Sequence, residues 1–318
     1  MGLTLISTFI TPICFVPIRE KVQRYKSDSS IPLSKFSLSL MRMSSDSSDS
    51  SELKEDSTSQ WNLFKETFGG KWIGTSSWYN SSDWSKPFLV IQKAIYDISF
   101  PNKDNAIWRG NGLRFTENEL YIKLNRDNWR KESFLFPGGF GGQTSLESLT
   151  KITKQFDEIN FFDQKCRSMI ISEYRRDTSD SIFFGKLQSI QITPFRDAYK
   201  CKIGKKEKYE STIDLLLSIS GWKGKSWTYS PDNIPKYSFN ETNVSDVIMN
   251  PNIYTTKEVC KIWEDNLICG LPMNVMKGKE SEYIYGCKVN DCCFKQLKII
   301  RDKENKLISW TFYIFEKS

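Results

Sequence analysis

Two periodicities divide the chain from residue 60 onward. Trp61, Phe64, Lys65 and Phe68 fall at i, i+3, i+4 and i+7, which predicts a short amphipathic helix. Ser or Thr at positions 57 to 59 can cap its start, and Gly69-Gly70 ends it. Beyond the glycines the period drops to two. Leu120, Ile122 and Leu124 alternate with polar neighbours, as in a half-buried strand. Strands are predicted over Phe88 to Ile98, Ala106 to Phe115, Glu119 to Leu124, Glu132 to Phe136, Arg167 to Tyr174 and Ile182 to Thr193. Pro101-Asn102, Asn111-Gly112, Pro137 through Gly142 and Asp177 through Asp180 supply turns. Cys293 to Ile300 and Lys306 to Phe315 flank a polar turn as a closing hairpin, whose second strand is apolar on both faces. Thr255 and Glu258 form a capping box ahead of Val259, Ile262 and Trp263, which predicts a second helix over Thr256 to Asn266. Many short strands and few helices imply an all-β chain of antiparallel barrels.

An internal repeat sets the number of units. Trp72-Ile-Gly74-Thr-Ser76-Ser-Trp-Tyr79 and Trp222-Lys-Gly224-Lys-Ser226-Trp-Thr-Tyr229 both read W-x-G-x-S-x-x-Y, and each opens a run of strands. Two copies of one opening strand imply two copies of one unit. The glycine lets the strand bend where a small barrel closes, with the tryptophan as its floor. The chain therefore divides into a first barrel over 60–200 and a second over 201–318.

Composition changes the picture at the ends. Residues 1–43 are Ser-rich and basic, with six Lys/Arg against Glu20 and Asp28, so +4; residues 44–59 carry five acids against Lys54, so −4. The two cancel, and the part from Gln60 holds the whole formal charge of +7. Residues 44–59 read as a disordered acidic linker. An acid-poor, Ser-rich leader predicts import into a plastid, and Ile13-Cys14-Phe15-Val16-Pro17 resembles the bipartite leaders of algae with secondary plastids. The apolar start is too short and too broken by Pro12 and Pro17 to span a membrane.

The chain has no histidine among its 318 residues, so triads, His-ligated metals and imidazole acid–base chemistry are excluded. Eight Cys without C-x-x-C spacing read as small hydrophobes, and no metal site is expected. Gly221-Trp-Lys-Gly224-Lys225-Ser226 has Ile219 where a phosphate loop requires its first glycine, and Gly138 to Gly142 lacks the Lys-Ser/Thr that follows.

Trp61 to Phe64, Phe68 to Gly74 with Tyr79, Phe134 to Gly139, Glu158 to Phe161 and Arg167 to Tyr174 together resemble a two-lobed, lipocalin-like calycin family. That family, of unknown function and from cyanobacteria and plastids, is related in fold to the S-type bilin lyases. The resemblance implies a pocket for a bilin, another tetrapyrrole or another lipophilic pigment. The protein would then serve as carrier, assembly factor or lyase-like protein, acting on phycobiliprotein or photosystem subunits. Candidate pocket residues are Trp72, Trp78, Tyr79, Trp108, Tyr174, Trp222 and Tyr229 for stacking, with Arg109, Arg114 and Arg167 for propionates. Arg167 is alternatively the barrel-closing cation stacked on Trp72. Glu158, Glu173 and Asp177 are the carboxyls available for proton donation. A non-catalytic docking subunit with filled barrels remains the other reading. Single-stranded nucleic acid is disfavoured, because the lysines form no dense stripe.

Overall fold

Two curled antiparallel sheets, each forming a half-barrel, carry the fold. The structure, a computed structural model, describes residues 60–113, 120–126, 133–136, 138–163, 166–179, 182–198, 209–231 and 244–317. The leader, the linker, the capping positions 57 to 59 and Arg114 lie outside these residues.

Helix α1 (Gln60–Phe68) ends at Gly69 as its spacing predicts. The first sheet then uses β1 (Gly70–Asn80), β2 (Leu89–Asn102), β3 (Asn105–Asn111), β4 (Leu120–Asn125), β5 (Ser133–Phe136), β6 (Phe140–Thr144), β7 (Lys154–Asp163), β8 (Cys166–Arg176) and β9 (Phe183–Asp197). Helix α2 (Thr212–Ile219) opens the second sheet. The chain then runs through β10 (Lys223–Tyr229), β11 (Val244–Ile248), the single-turn α3 (Asn252–Thr255), β12 (Val259–Ile262), β13 (Leu267–Leu271), β14 (Asn274–Met276), β15 (Ser281–Asn290), β16 (Cys293–Arg301) and β17 (Leu307–Glu316). The strand orders are β4-β3-β2-β1-β9-β8-β7-β6-β5 and β11-β10-β17-β16-β15-β13-β12. One strand crosses over: β14 pairs with the start of β9, so the second half of the chain extends the first sheet.

Trp72 and Trp222 open different sheets, as the repeat requires. The ladders equate the two units residue by residue. Gly74, Phe195, Arg167 and Phe162 form one row across β1, β9, β8 and β7. Gly224, Phe315, Phe294 and Lys288 form the matching row across β10, β17, β16 and β15. A Cβ on Gly74 would collide with the Pro194 carbonyl and crowd Phe195; one on Gly224 would do the same to the Ile314 carbonyl and Phe315. Only hydrogen fits at either place. The cation occupies the third position of one row and the fourth of the other.

Closure differs from the expectation of complete barrels. Among the described residues no ladder joins β4 to β5, or β11 to β12. A helix reaches the far edge strand instead. Gln60 Nε2 donates to the Leu135 carbonyl of β5 (2.6 Å) and Gln60 Oε1 accepts from the Leu135 N–H (3.0 Å), as a neighbouring strand would. In the second unit the Ile262 N–H of β12 donates to Thr212 Oγ1 of α2 (3.0 Å). Both contacts satisfy backbone groups that an open edge leaves unpaired.

The helix predicted over Thr256 to Asn266 does not form. Val259 and Ile262 instead pair with Leu271 and Ile268 as β12, and Asp265 and Asn266 take positive φ in the turn that follows. A β-branched pair beside an available strand edge outweighs the capping box.

Each sheet is covered by a helix on its inner face and, over part of its opposite face, by the other sheet. Inside the first, α1 packs Trp61, Phe64 and Phe68 against Trp72, Ile98, Trp108 and Phe195. Inside the second, Leu215, Leu216 and Ile219 of α2 meet Trp222, Tyr254, Phe294 and Phe315. The opposite faces pack on one another, with Phe136, Phe140, Ile170 and Ile192 of one sheet against Leu297, Trp310 and Phe312 of the other. Phe136 stacks on Phe312 at 4.2 Å. Within that layer Asp157 and Arg301 form an ion pair at 3.1 Å, neither side chain exposed. Thr144 and Tyr285 also donate to the Asp157 carboxylate.

Two outcomes test this account. Gly224→Ala lowers stability by about 1–3 kcal/mol in urea unfolding, while Lys225→Ala beside it changes stability by less than about 0.5 kcal/mol. Asp157→Leu alone leaves Arg301 buried without its anion and costs about 3–5 kcal/mol. Asp157→Leu combined with Arg301→Met recovers most of that loss.

Candidate functional site

The inner face of the first sheet is the candidate site, because its ladder places Arg167 and Glu158 where the second sheet places Phe294 and Ile284. Three rows run across β7, β8, β9 and β1. The lowest is Phe162, Arg167, Phe195 and Gly74, beside α1. Asn160, Met169 and Thr193 follow, with Ser76 bonded to Thr193 (3.1 Å). The third is Glu158, Ile171, Gln191 and Trp78.

Arg167 is the centre of the lowest row and has no exposed surface. Its guanidinium lies 3.7 Å from the Tyr96 ring centre, 4.6 Å from Phe68, 5.1 Å from Phe195 and 5.6 Å from Phe162. The expected stack on Trp72 is replaced by this box of four rings. Trp72 stands one layer out, 6.1 Å from Phe162, and donates to the Phe68 carbonyl that ends α1 (3.2 Å). Arg167 Nε donates to Asn160 Oδ1 (2.7 Å), and Asn160 Nδ2 to Glu158 Oε1 (3.1 Å). The same carboxylate oxygen lies 3.7 Å from Arg167 Nη2. Nη1 and Nη2 donate no hydrogen bond of normal geometry among the described residues. The Glu158 side chain, 19% exposed, is where this chain of contacts meets solvent.

Burial sets the protonation of the site. It pushes the Tyr96 hydroxyl up to about 12, against a weaker opposing pull from Arg167. It lowers Arg167 from its ordinary value, with Tyr96 and Glu158 working the other way. Both groups keep their protons at neutral pH, so the row offers a cation and a phenol.

Four of the predicted pocket residues meet on this inner face: Trp72, Trp78, Trp108 and Arg167. Trp108 sits edge-on to Tyr96 at 5.4 Å, with Nε1 buried. The others lie elsewhere. Tyr79, Tyr174 and Tyr229 are part of the layer between the sheets. Tyr174 donates to the Pro272 carbonyl (2.7 Å), and Tyr229 stacks on Phe136 at 5.4 Å. Arg109 is exposed on the outer face, over the Tyr121 ring at 5.7 Å. Trp222 is in the second sheet's interior. That interior is filled: Tyr254 lies against Gly270 and Gly286, where any Cβ would strike it. Glu173 pairs with Lys154 (3.1 Å) and Asp177 with Lys186 (2.9 Å), which leaves Glu158 as the predicted carboxyl beside Arg167.

Tyr96, Asn160, Gln191 and Thr193 were missed by sequence reasoning. The signal was present: Gln191, Thr193 and Phe195 alternate with Ile190 and Ile192, so polar residues share a face with the aromatic floor.

No protein-family model and no curated protein matches the chain. Among solved structures, a protein of unknown function of the DUF3598 family from Nostoc punctiforme is similar with a TM-score of 0.60. The identity is 12%, over 82% of this chain and 100% of that one, so the likeness is one of fold. The S-type phycobiliprotein lyase CPES from Guillardia theta overlaps 48% of this chain and 100% of its own. Its identity is 11% and its TM-score 0.28, too low to carry an argument.

Alkaline titration checks the burial of the tyrosines. Tyr96 keeps its proton to about 12 when folded but loses it near 10.0 when unfolded. Burial raises Tyr174, Tyr254 and Tyr285 in the same direction. Between those pH values the unfolded chain has released protons that the folded one retains, so stability falls as pH rises through the window. The urea midpoint drops from pH 10 upward, and phenolate absorbance from these residues appears only with unfolding.

Proposed function

We propose that the first half-barrel binds a flat, lipophilic, carboxylate-bearing ligand of the tetrapyrrole class, and that the protein is a carrier or assembly factor for it. One observation carries this reading: a buried guanidinium held among four aromatic rings, whose terminal nitrogens make no hydrogen bond of normal geometry among the described residues and lie 3.7 Å from Glu158. A cation in such a box binds a carboxylate strongly, because little water competes for it. Tyr96, Trp72 and Trp108 supply ring faces and edges for a conjugated body. The second half-barrel, filled by Tyr254 and α2, serves as scaffold. Residues 1–43 support a plastid location through their composition.

Absorbance titration with biliverdin, haem and chlorophyllide tests the reading. The expected result is a shifted band with at least one pigment, about tenfold weaker in Arg167→Lys, whose ammonium cannot hold a carboxylate through two parallel bonds. Lys288→Arg, in the second half-barrel, leaves the affinity unchanged. No shift with any pigment overturns the proposal and favours a docking subunit. One observation favours that second reading. The outer face of β1 to β4 carries exposed Ile73, Val90 and Tyr121 among Lys71, Arg109 and Lys123, and is not part of the layer between the sheets.

A further inference from the structure

Gln191 stands two rows above Arg167's row on the same inner face, 1% exposed. Its Nε2 donates to Ser76 Oγ (2.6 Å), to the Leu113 carbonyl (3.2 Å) and to Thr193 Oγ1 (3.3 Å). Ser76 and Thr193 have no exposed surface either. Hydroxyls serve as donor or acceptor, but a backbone carbonyl only accepts. Turning the amide over would set Gln191 Oε1 against the Leu113 carbonyl, two acceptors face to face. Leu113 therefore dictates which end of the amide is which. The nitrogen shares its two hydrogens among three acceptors, and Oε1 is directed away from them.

That oxygen is buried and has no hydrogen-bond partner among the described residues. A buried acceptor left unpaired is costly, and this one is kept in place by bonds that the fold went out of its way to complete at the other end. Gln191 and Phe195, the neighbour of Arg167, are four residues apart on β9, or about 13 Å. An extended ligand with its carboxylate at Arg167 reaches Gln191 with its body rather than its end. Ile171 and Trp78 flank Gln191 in its row, so the acceptor is set in an otherwise apolar wall.

We infer that Gln191 Oε1 is a specificity-determining acceptor that reads an N–H or O–H donor in the body of the ligand. The inference rests on the first half-barrel being a ligand site. It narrows the ligand to a carboxylate-bearing molecule with an internal donor, and selects against one whose donors are masked by a metal or absent, such as a plain fatty acid. Gln191 is a binding residue in this account, with Ser76, Leu113 and Thr193 as its positioning partners.

Biliverdin and its copper(II) complex isolate the donor, because the metal takes the place of pyrrole protons while the propionates stay. With the full chain, biliverdin binds more tightly than the copper complex. Gln191→Met, of similar volume, weakens biliverdin about tenfold and leaves the copper complex unchanged, which also shows that the variant is folded. Equal weakening of both compounds in Gln191→Met, or no change in either, overturns the inference while the ligand site stands. Binding of neither compound by the unaltered protein overturns the ligand site and the inference together.

Discussion

A curled sheet that is apolar on both faces must have both faces covered, and this requirement organises the molecule. Neither half-barrel meets it alone. Helix α1 or α2 covers one face of each sheet, and the two remaining faces cover each other in a layer built on Phe136, Phe312, Trp310 and Ile170. The crossover of β14 onto β9 and the clasp of Arg196 on Asp265 tie the units further. Separating the halves would expose Tyr285, Asp157 and Arg301 together, so the two units share one core.

The shared layer carries a buried polar network of its own. Asp157 accepts from Thr144, Tyr285 and Arg301, so its carboxylate is satisfied within the protein. Such a network fixes the register of one sheet on the other. On the inner face, Arg167 and Gln191 keep buried polar atoms without a partner among the described residues, as Arg301 and Trp310 do in the shared layer. What distinguishes the inner face is the placement of Arg167 and Glu158 beside a ring of aromatic side chains.

The repeat explains why one half-barrel carries the site. Both rows begin with Gly and Phe, but the first continues with Arg167 and Phe162, the second with Phe294 and Lys288. Lys288 lies over Tyr209 at 4.7 Å and over Trp222 at 5.9 Å, and Tyr254 fills the space beside it over Gly270 and Gly286. Moving the cation one strand outward puts Phe294 where the first half-barrel has Arg167.

Much of the architecture was legible along the chain. The period of two, the helix before each opening strand and the W-x-G-x-S-x-x-Y repeat are local, and they determined an antiparallel fold in two copies. Tertiary structure decided what alternation cannot express. A period of two says that a strand has two faces, but not which face meets a helix, a sheet or a ligand. For that reason Tyr79, Tyr174 and Tyr229 belong to the layer between the sheets, although they look like pocket residues in sequence. The segment from Val259 to Ile262 is a strand for a similar reason: the free edge of β13 is distant information that a capping box does not contain. The four-ring box around Arg167 draws on α1, β2, β7 and β9, and only folding brings those separate stretches around one charge.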